Sequence, residues 1–74
     1  MREQILAILR SARQDVDFEN EEYLIDEGIL DSFDIISIVS DLNDEFEVDI
    51  TADELEPENF NSLDAIVDLV ESLL

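Results

Sequence analysis

From Gln14 to Leu74 the chain has no basic residue, and 21 of its 22 carboxylates fall in that stretch. Lone buried charges are too costly to keep. Any fold must therefore hold a dense acidic surface in water and bury apolar side chains along narrow faces. The three cations, Arg2, Arg10 and Arg13, all lie ahead of the acidic stretch, and the formal net charge is −19. Such a balance alone points toward disorder. The 46% of apolar residues, set at regular intervals, point the other way. Seventy-four residues suffice for one core that buries about 60% of the unfolded chain's surface, so a single domain over 1–74 is expected.

The same charge pattern repels phosphate backbones and anionic lipid. Nucleic acid and membrane surfaces are poor partners, whereas basic protein surfaces and divalent cations are attracted. Apolar runs reach only four or five residues, as in Ile5 to Leu9, too short to span a bilayer, so no membrane insertion is expected. Met1-Arg2-Glu3-Gln4 is not followed by the long apolar run of a signal peptide, which favours a cytoplasmic location. Neither Cys nor His is present. Thiolate nucleophiles, zinc clusters and His general bases are therefore unavailable from the chain.

Apolar spacing outlines the elements. Ile5, Leu6, Ile8, Leu9 and Ala12 form one helical face in Arg2 to Arg13, with Arg10 and Arg13 at the negative pole. Residues 15 to 31 break the period and read as a long loop, pinned by Val16, Phe18, Leu24, Ile25, Ile29 and Leu30. Asp31 is a preferred N-cap with Asp34 three residues on, and it opens a helix ending near Glu45 or Phe46. Its predicted buried stripe is Ile36, Val39, Leu42 and Phe46, flanked by Phe33 and Ile38, which leaves Ile35 partly exposed near Ser32. Val48 and Ile50 alternate with Asp49 as a short extended link. Thr51 or Asp53 caps a brief turn through Leu55, limited by Pro57. Asn61 or Ser62 caps a last helix with Leu63, Ile66, Val67, Leu69, Val70, Leu73 and Leu74 as its apolar set. The expected fold is an all-α four-helix bundle of three longer helices and one short one, with a long first loop.

Catalysis would have to use carboxylates, hydroxyls, Tyr23 or Arg in a bundle with little room for a closed pocket, so the chain is not expected to be an enzyme. Residues Asp15 to Asp26 place acids at positions one, three and five of a potential calcium loop. Asn20 replaces the Gly of the sharp turn and Asp26 the final Glu, so no metal site is expected, although an acidic calcium-binding protein is the alternative from a different class. Asp26-Glu27-Gly28-Ile29-Leu30-Asp31-Ser32-Phe33-Asp34 is less generic. It sets a serine just after an N-cap, with a flexible Gly four residues upstream, where the positive pole of a helix favours a phosphate on the hydroxyl. Ser11, Ser37, Ser40, Ser62 and Ser72 lack this setting.

Gly28 to Asp34, the amphipathic helix ending Asp44-Glu45-Phe46, and Val48-Asp49-Ile50 strongly resemble the phosphopantetheine carrier proteins, the acyl carrier family. The resemblance spans nearly the whole chain and is most specific from Asp26 to Ile50. It implies a small acyl-carrier-like bundle in which Ser32 carries 4′-phosphopantetheine, donated from coenzyme A, as a phosphodiester. It further implies that the arm's thiol holds acyl or aminoacyl groups as thioesters. The expected partners are a phosphopantetheinyl transferase, and loading enzymes and acyltransferases with basic docking surfaces. Asp31, Phe33, Asp34, Ile35, Ser37, Asp41, Asp44, Glu45 and Glu47 would meet them, with the carrier a monomer. Fatty-acid carriers commonly have Leu at the position of Phe33 and Glu at that of Ser37. Gly-Ile-Leu-Asp-Ser-Phe is closer to the D-alanyl carriers of teichoic-acid modification, and Leu55, Phe60 and Ser62 keep their spacing, with Leu63 where those proteins have Pro. Peptide-synthetase carriers share the same attachment logic.

Overall fold

A computed structural model describes residues 1–74 as an all-helical chain without strands. Helix α1 runs Arg2–Ala12 and α2 runs Ser32–Phe46. A 3-10 turn, Ala52–Glu54, then precedes the four-residue α3, Pro57–Phe60, and α4, Leu63–Leu73. Helix α1 packs on both α2 and α4, and α3 packs on α4. The 13 buried residues are all apolar, so the acidic surface sits entirely outside the core. Ile5 and Leu9 meet Ile38, Leu42, Ile66 and Val70 at the centre. Each such side chain contributes about 1.5–3 kcal/mol by leaving water.

The first loop is pinned as its apolar pattern predicts. Phe18, Leu24 and Leu30 are buried, and Val16, Ile25 and Ile29 lean on the core. Helix α1 stops one residue short of Arg13, whose backbone turns extended while its N–H still donates to the Leu9 carbonyl. Asp31 caps α2 and Ser62 caps α4, its hydroxyl accepting from the Ala65 N–H at 3.1 Å. Ile50 is buried and Asp49 exposed, and the Ile50 N–H donates to Asn43 Oδ1 at 2.9 Å.

Two expectations are corrected. The buried face of α2 is Ile38 and Leu42 with Ile35, Val39 and Phe46 packed beside them, and Ile36 is 62% exposed. The stripe is thus rotated away from Ile36, which faces water, while Ile35 is only partly buried beside Ser32, as expected. The 51–60 segment holds two short pieces rather than one, with Thr51 and Leu55 bounding the 3-10 turn. Pro57 does not merely limit a helix but opens α3, where a missing N–H forfeits no helical bond.

The two arginines of α1 and Arg13, just past its end, each pair with carboxylates outside the helix. Arg2 pairs with Asp64 of α4 and Arg10 with Glu19 of the loop, while Arg13 pairs with Asp15 and with Asp34 of α2. The pairs of Arg2 and Arg10 are solvent-exposed, and such pairs contribute little stability singly. Arg13 is different because it acts at the start of α2.

Candidate functional site

Asp31 has extended backbone, and its carboxylate accepts from the Asp34 N–H at 2.9 Å. Asp34 Oδ2 accepts in return from the Asp31 N–H at 3.3 Å, which completes a reciprocal cap. Arg13 Nη1 donates to the same Asp34 oxygen at 3.0 Å and to the Ile29 carbonyl at 3.0 Å. One guanidinium therefore ties the end of α1, the end of the loop and the first turn of α2. With Asp34 side-chain exposure at 18%, this carboxylate is committed to the cap and the clamp and offers little surface to a partner. The other edge of Arg13 grips Asp15 through Nε and Nη2, both at 3.1 Å. That contact holds the Asp15 carboxyl below its ordinary range.

Ser32 is the first residue of α2 and is exposed. Asp31 uses the N–H of Asp34, so the N–H groups of Ser32 and Phe33 are the free donors at this positive pole. The preceding loop closes on itself, with the Leu30 N–H donating to the Leu24 carbonyl at 2.9 Å and the Gly28 N–H to Ile25 at 3.0 Å. Gly28 lies in the left-handed region at φ 70°, and a Cβ there would meet nothing within 4 Å. Glycine is needed for the backbone turn, not for space.

Beside Ser32 opens a groove of about 530 Å³, bounded by the loop (Ile25, Gly28), by Ile35 and Ile36 of α2, and by Leu55 and Phe60. Its rim includes Glu56, whose carboxyl is raised above its ordinary range by a hydrogen bond with Glu58 and by the nearby negative charge. On the outer side stand Phe33, 83% exposed, and Ile36. The fold thus brings Asp31, Ser32, Phe33 and Ile35 together, and adds Ile36, which its apolar periodicity had assigned to the core. Ile36 was discernible as the i+3 neighbour of Phe33, an apolar pair beside the serine.

Ser37, Asp41, Asp44, Glu45 and Glu47 are exposed farther along or just past α2. Asp41, Asp44 and Glu45 share a shallow hollow with Ile8 of α1. At 1.5 Å per residue, Asp41 lies about 14 Å along the axis from Ser32. These acids form a second patch, apart from the serine. In the Asp15–Asp26 loop, Asp15 faces Arg13, Asp17 accepts from Asn20 Nδ2 at 2.8 Å, and Asp26 accepts from Asn61 Nδ2 at 3.2 Å. No three acidic side chains converge as a metal-holding group.

An exposed hydroxyl beside free helical N–H donors and an open groove fits a phosphate-linked group attached at this end of α2. Comparison with curated proteins finds no match. Among protein families, the one described as "Phosphopantetheine attachment site" matches residues 1–70. With nearly its whole length matched and its fold that of a small helical carrier, the chain belongs to the family of domains that bear covalent 4′-phosphopantetheine and interact with modifying and loading enzymes.

Proposed function

We propose that this chain is a stand-alone acyl carrier protein, with Ser32 as the attachment residue, and that it delivers acyl or aminoacyl groups without catalysis of its own. The observation that carries this reading is the placement of Ser32: exposed, first in α2, and on the lip of an apolar groove. When bound, 4′-phosphopantetheine supplies the thiol that holds the cargo as a thioester. The chain's own residues do the rest. Asp31 and Asp34 fix the start of α2, Arg13 anchors that cap, and Ser32 and Phe33 turn N–H donors toward the phosphate position. Phe33 and Ile36 form an apolar contact flanked by Asp31, a fit for a partner that is apolar at its centre and basic at its rim. Asp41, Asp44, Glu45 and Glu47 form a separate acidic patch farther along and just past α2, a second contact for a basic partner surface. Weak, electrostatically steered binding suits a carrier that each enzyme must release. We place it in the cytoplasm, as a monomer.

Mass spectrometry after incubation with a phosphopantetheinyl transferase and coenzyme A tests the attachment. One arm adds to the native chain, and none to Ser32→Ala, which stays folded because Asp31 still caps α2. Modification of that variant would overturn the assignment. A D-alanyl carrier is the closer variant within the family, supported by Gly28-Ile29-Leu30-Asp31-Ser32-Phe33 and by Ser37, an exposed hydroxyl where fatty-acid carriers have Glu. Transfer from a D-alanine-activating ligase should then exceed loading by a malonyl transferase, and fast malonyl loading without D-alanyl transfer would reverse this order.

A further inference from the structure

The two walls of the groove beside Ser32 are each closed within themselves. The loop wall is sealed by the Leu30–Leu24 bond, and the opposite wall by Asn59 Nδ2, which donates to the Glu54 carbonyl at 2.9 Å. Every hydrogen bond between the first loop and the 51–62 segment passes through one residue, Asn61. Its Oδ1 accepts from the Ile25 N–H at 3.0 Å and from the Asp26 N–H at 3.1 Å. Its Nδ2 donates to Asp26 Oδ2 at 3.2 Å, and its carbonyl accepts from the Leu24 N–H at 2.9 Å. Asn61 directly follows Phe60 of one wall, and Ile25 belongs to the other. We infer that Asn61 is a positioning residue that joins the two walls and thereby sets the length of acyl chain the groove admits. This rests on the carrier reading above.

Other anchors of the loop do not depend on Asn61: Phe18 and Leu24 are buried outside the groove lining, Leu30 is buried at its floor, and Arg13 holds the Ile29 carbonyl. Removing the Asn61 side chain deletes three of the four bonds and leaves those anchors in place. The wall bearing Ile25 and Asp26 is then free to move outward while the core stays shut. Asn61→Asp alone would set two carboxylates against each other at Asp26. The exchange Asn61→Asp with Asp26→Asn retains an acceptor for both N–H groups and reverses only the donor in the Nδ2 bond.

The experiment has two arms. In the unmodified protein, amide hydrogen exchange at Ile25 and Asp26 should quicken roughly tenfold in Asn61→Ala, as expected for lost hydrogen bonds, with exchange at Ile38 and Leu42 unchanged. The double exchange should restore the native rate. Unchanged Ile25 and Asp26 amides in Asn61→Ala would overturn the joint. In the second arm, holo-protein is loaded with butanoyl or dodecanoyl groups and the thioesters are challenged with hydroxylamine. Asn61→Ala should raise the protection of dodecanoyl relative to butanoyl, and the double exchange should return it to the native ratio. A ratio that stays fixed while the amides loosen would overturn the role in cargo selection. Failure of the native protein to take the arm at all would overturn the carrier reading and the cargo role together, while the amide arm would still judge the joint.

Discussion

Glu47 shows how a single backbone angle can be improved. It ends α2 in the left-handed conformation at φ 52°, the one non-glycine residue with positive φ, and its N–H donates to the Asn43 carbonyl. A side chain pays roughly 1 kcal/mol there relative to glycine. Glu47→Gly should therefore raise stability by about 1 kcal/mol, seen as a rise of about 4–8 °C in Tm. Glu47→Ala, which removes the same charge but keeps the strained angle, should gain much less, so paired melts of the two variants separate geometry from charge. Arg13 and Glu56 act through protons instead. Arg13 lowers the Asp15 pKa beneath its ordinary 3.8, so this contribution is complete above that value and is lost as pH falls through the lowered one. Glu56 runs the opposite way. Its folded-state pKa lies above the ordinary 4.5 because of Glu58, so the folded form binds the proton first and stability grows as pH drops from above the raised value to 4.5. Melts from pH 7 to 2.5 should show a rise followed by a fall. Glu56→Gln should flatten the rise and Arg13→Met should flatten the fall.

Helix α2 divides its apolar residues between the core and water within single steps of sequence. Ile38→Ala should cost about 2–5 kcal/mol as a cavity in a fully buried site. Ile36→Ser should change stability by about 0.5 kcal/mol or less while weakening association with the transferase. Chemical denaturation and binding assays on the same two proteins read both effects. This division explains what the sequence could and could not reveal. The cap at Asp31, the Phe46 end and the Ser62 cap were legible because each rests on chemistry within a few residues of the helix end. The phase of the stripe was not. Ile35, Ile36, Ile38 and Val39 supply apolar residues for two adjacent helical faces, and only docking of α1 selects between them. A side chain exposed for a partner looks, in sequence, like one destined for the core. The 51–60 segment was half legible for a similar reason, since Pro57 interrupts a helix and begins one with equal ease. Asn61 read only as a cap candidate, because its bonds to Ile25 and Asp26 span 35 or 36 residues.

At the scale of the whole molecule, the acidic surface is wrapped around a body of 27 × 24 × 19 Å. At 0.01 M salt the screening length is about 30 Å, longer than the molecule, so its carboxylates repel across its full width; at 0.1 M it is about 10 Å. Tm should therefore climb as sodium chloride is raised over this range. Magnesium and calcium at millimolar concentration should act alike, since screening does not distinguish them. A saturable, calcium-only shift at micromolar concentration, lost in Asp15→Asn, would instead reveal a dedicated site in the Asp15–Asp26 loop. The arginines, two on α1 and Arg13 at its end, relieve this repulsion, and their distant partners lie 9, 21 and 62 positions away for Arg10, Arg13 and Arg2. Protein synthesis is vectorial, so these ties close in sequence as the ribosome delivers Glu19, then Asp34 and finally Asp64. The nascent chain holds α1 with Arg2 unmatched until the start of α4 emerges, and a circular permutant that moved α1 behind α4 would make the Arg2–Asp64 tie the first to close rather than the last.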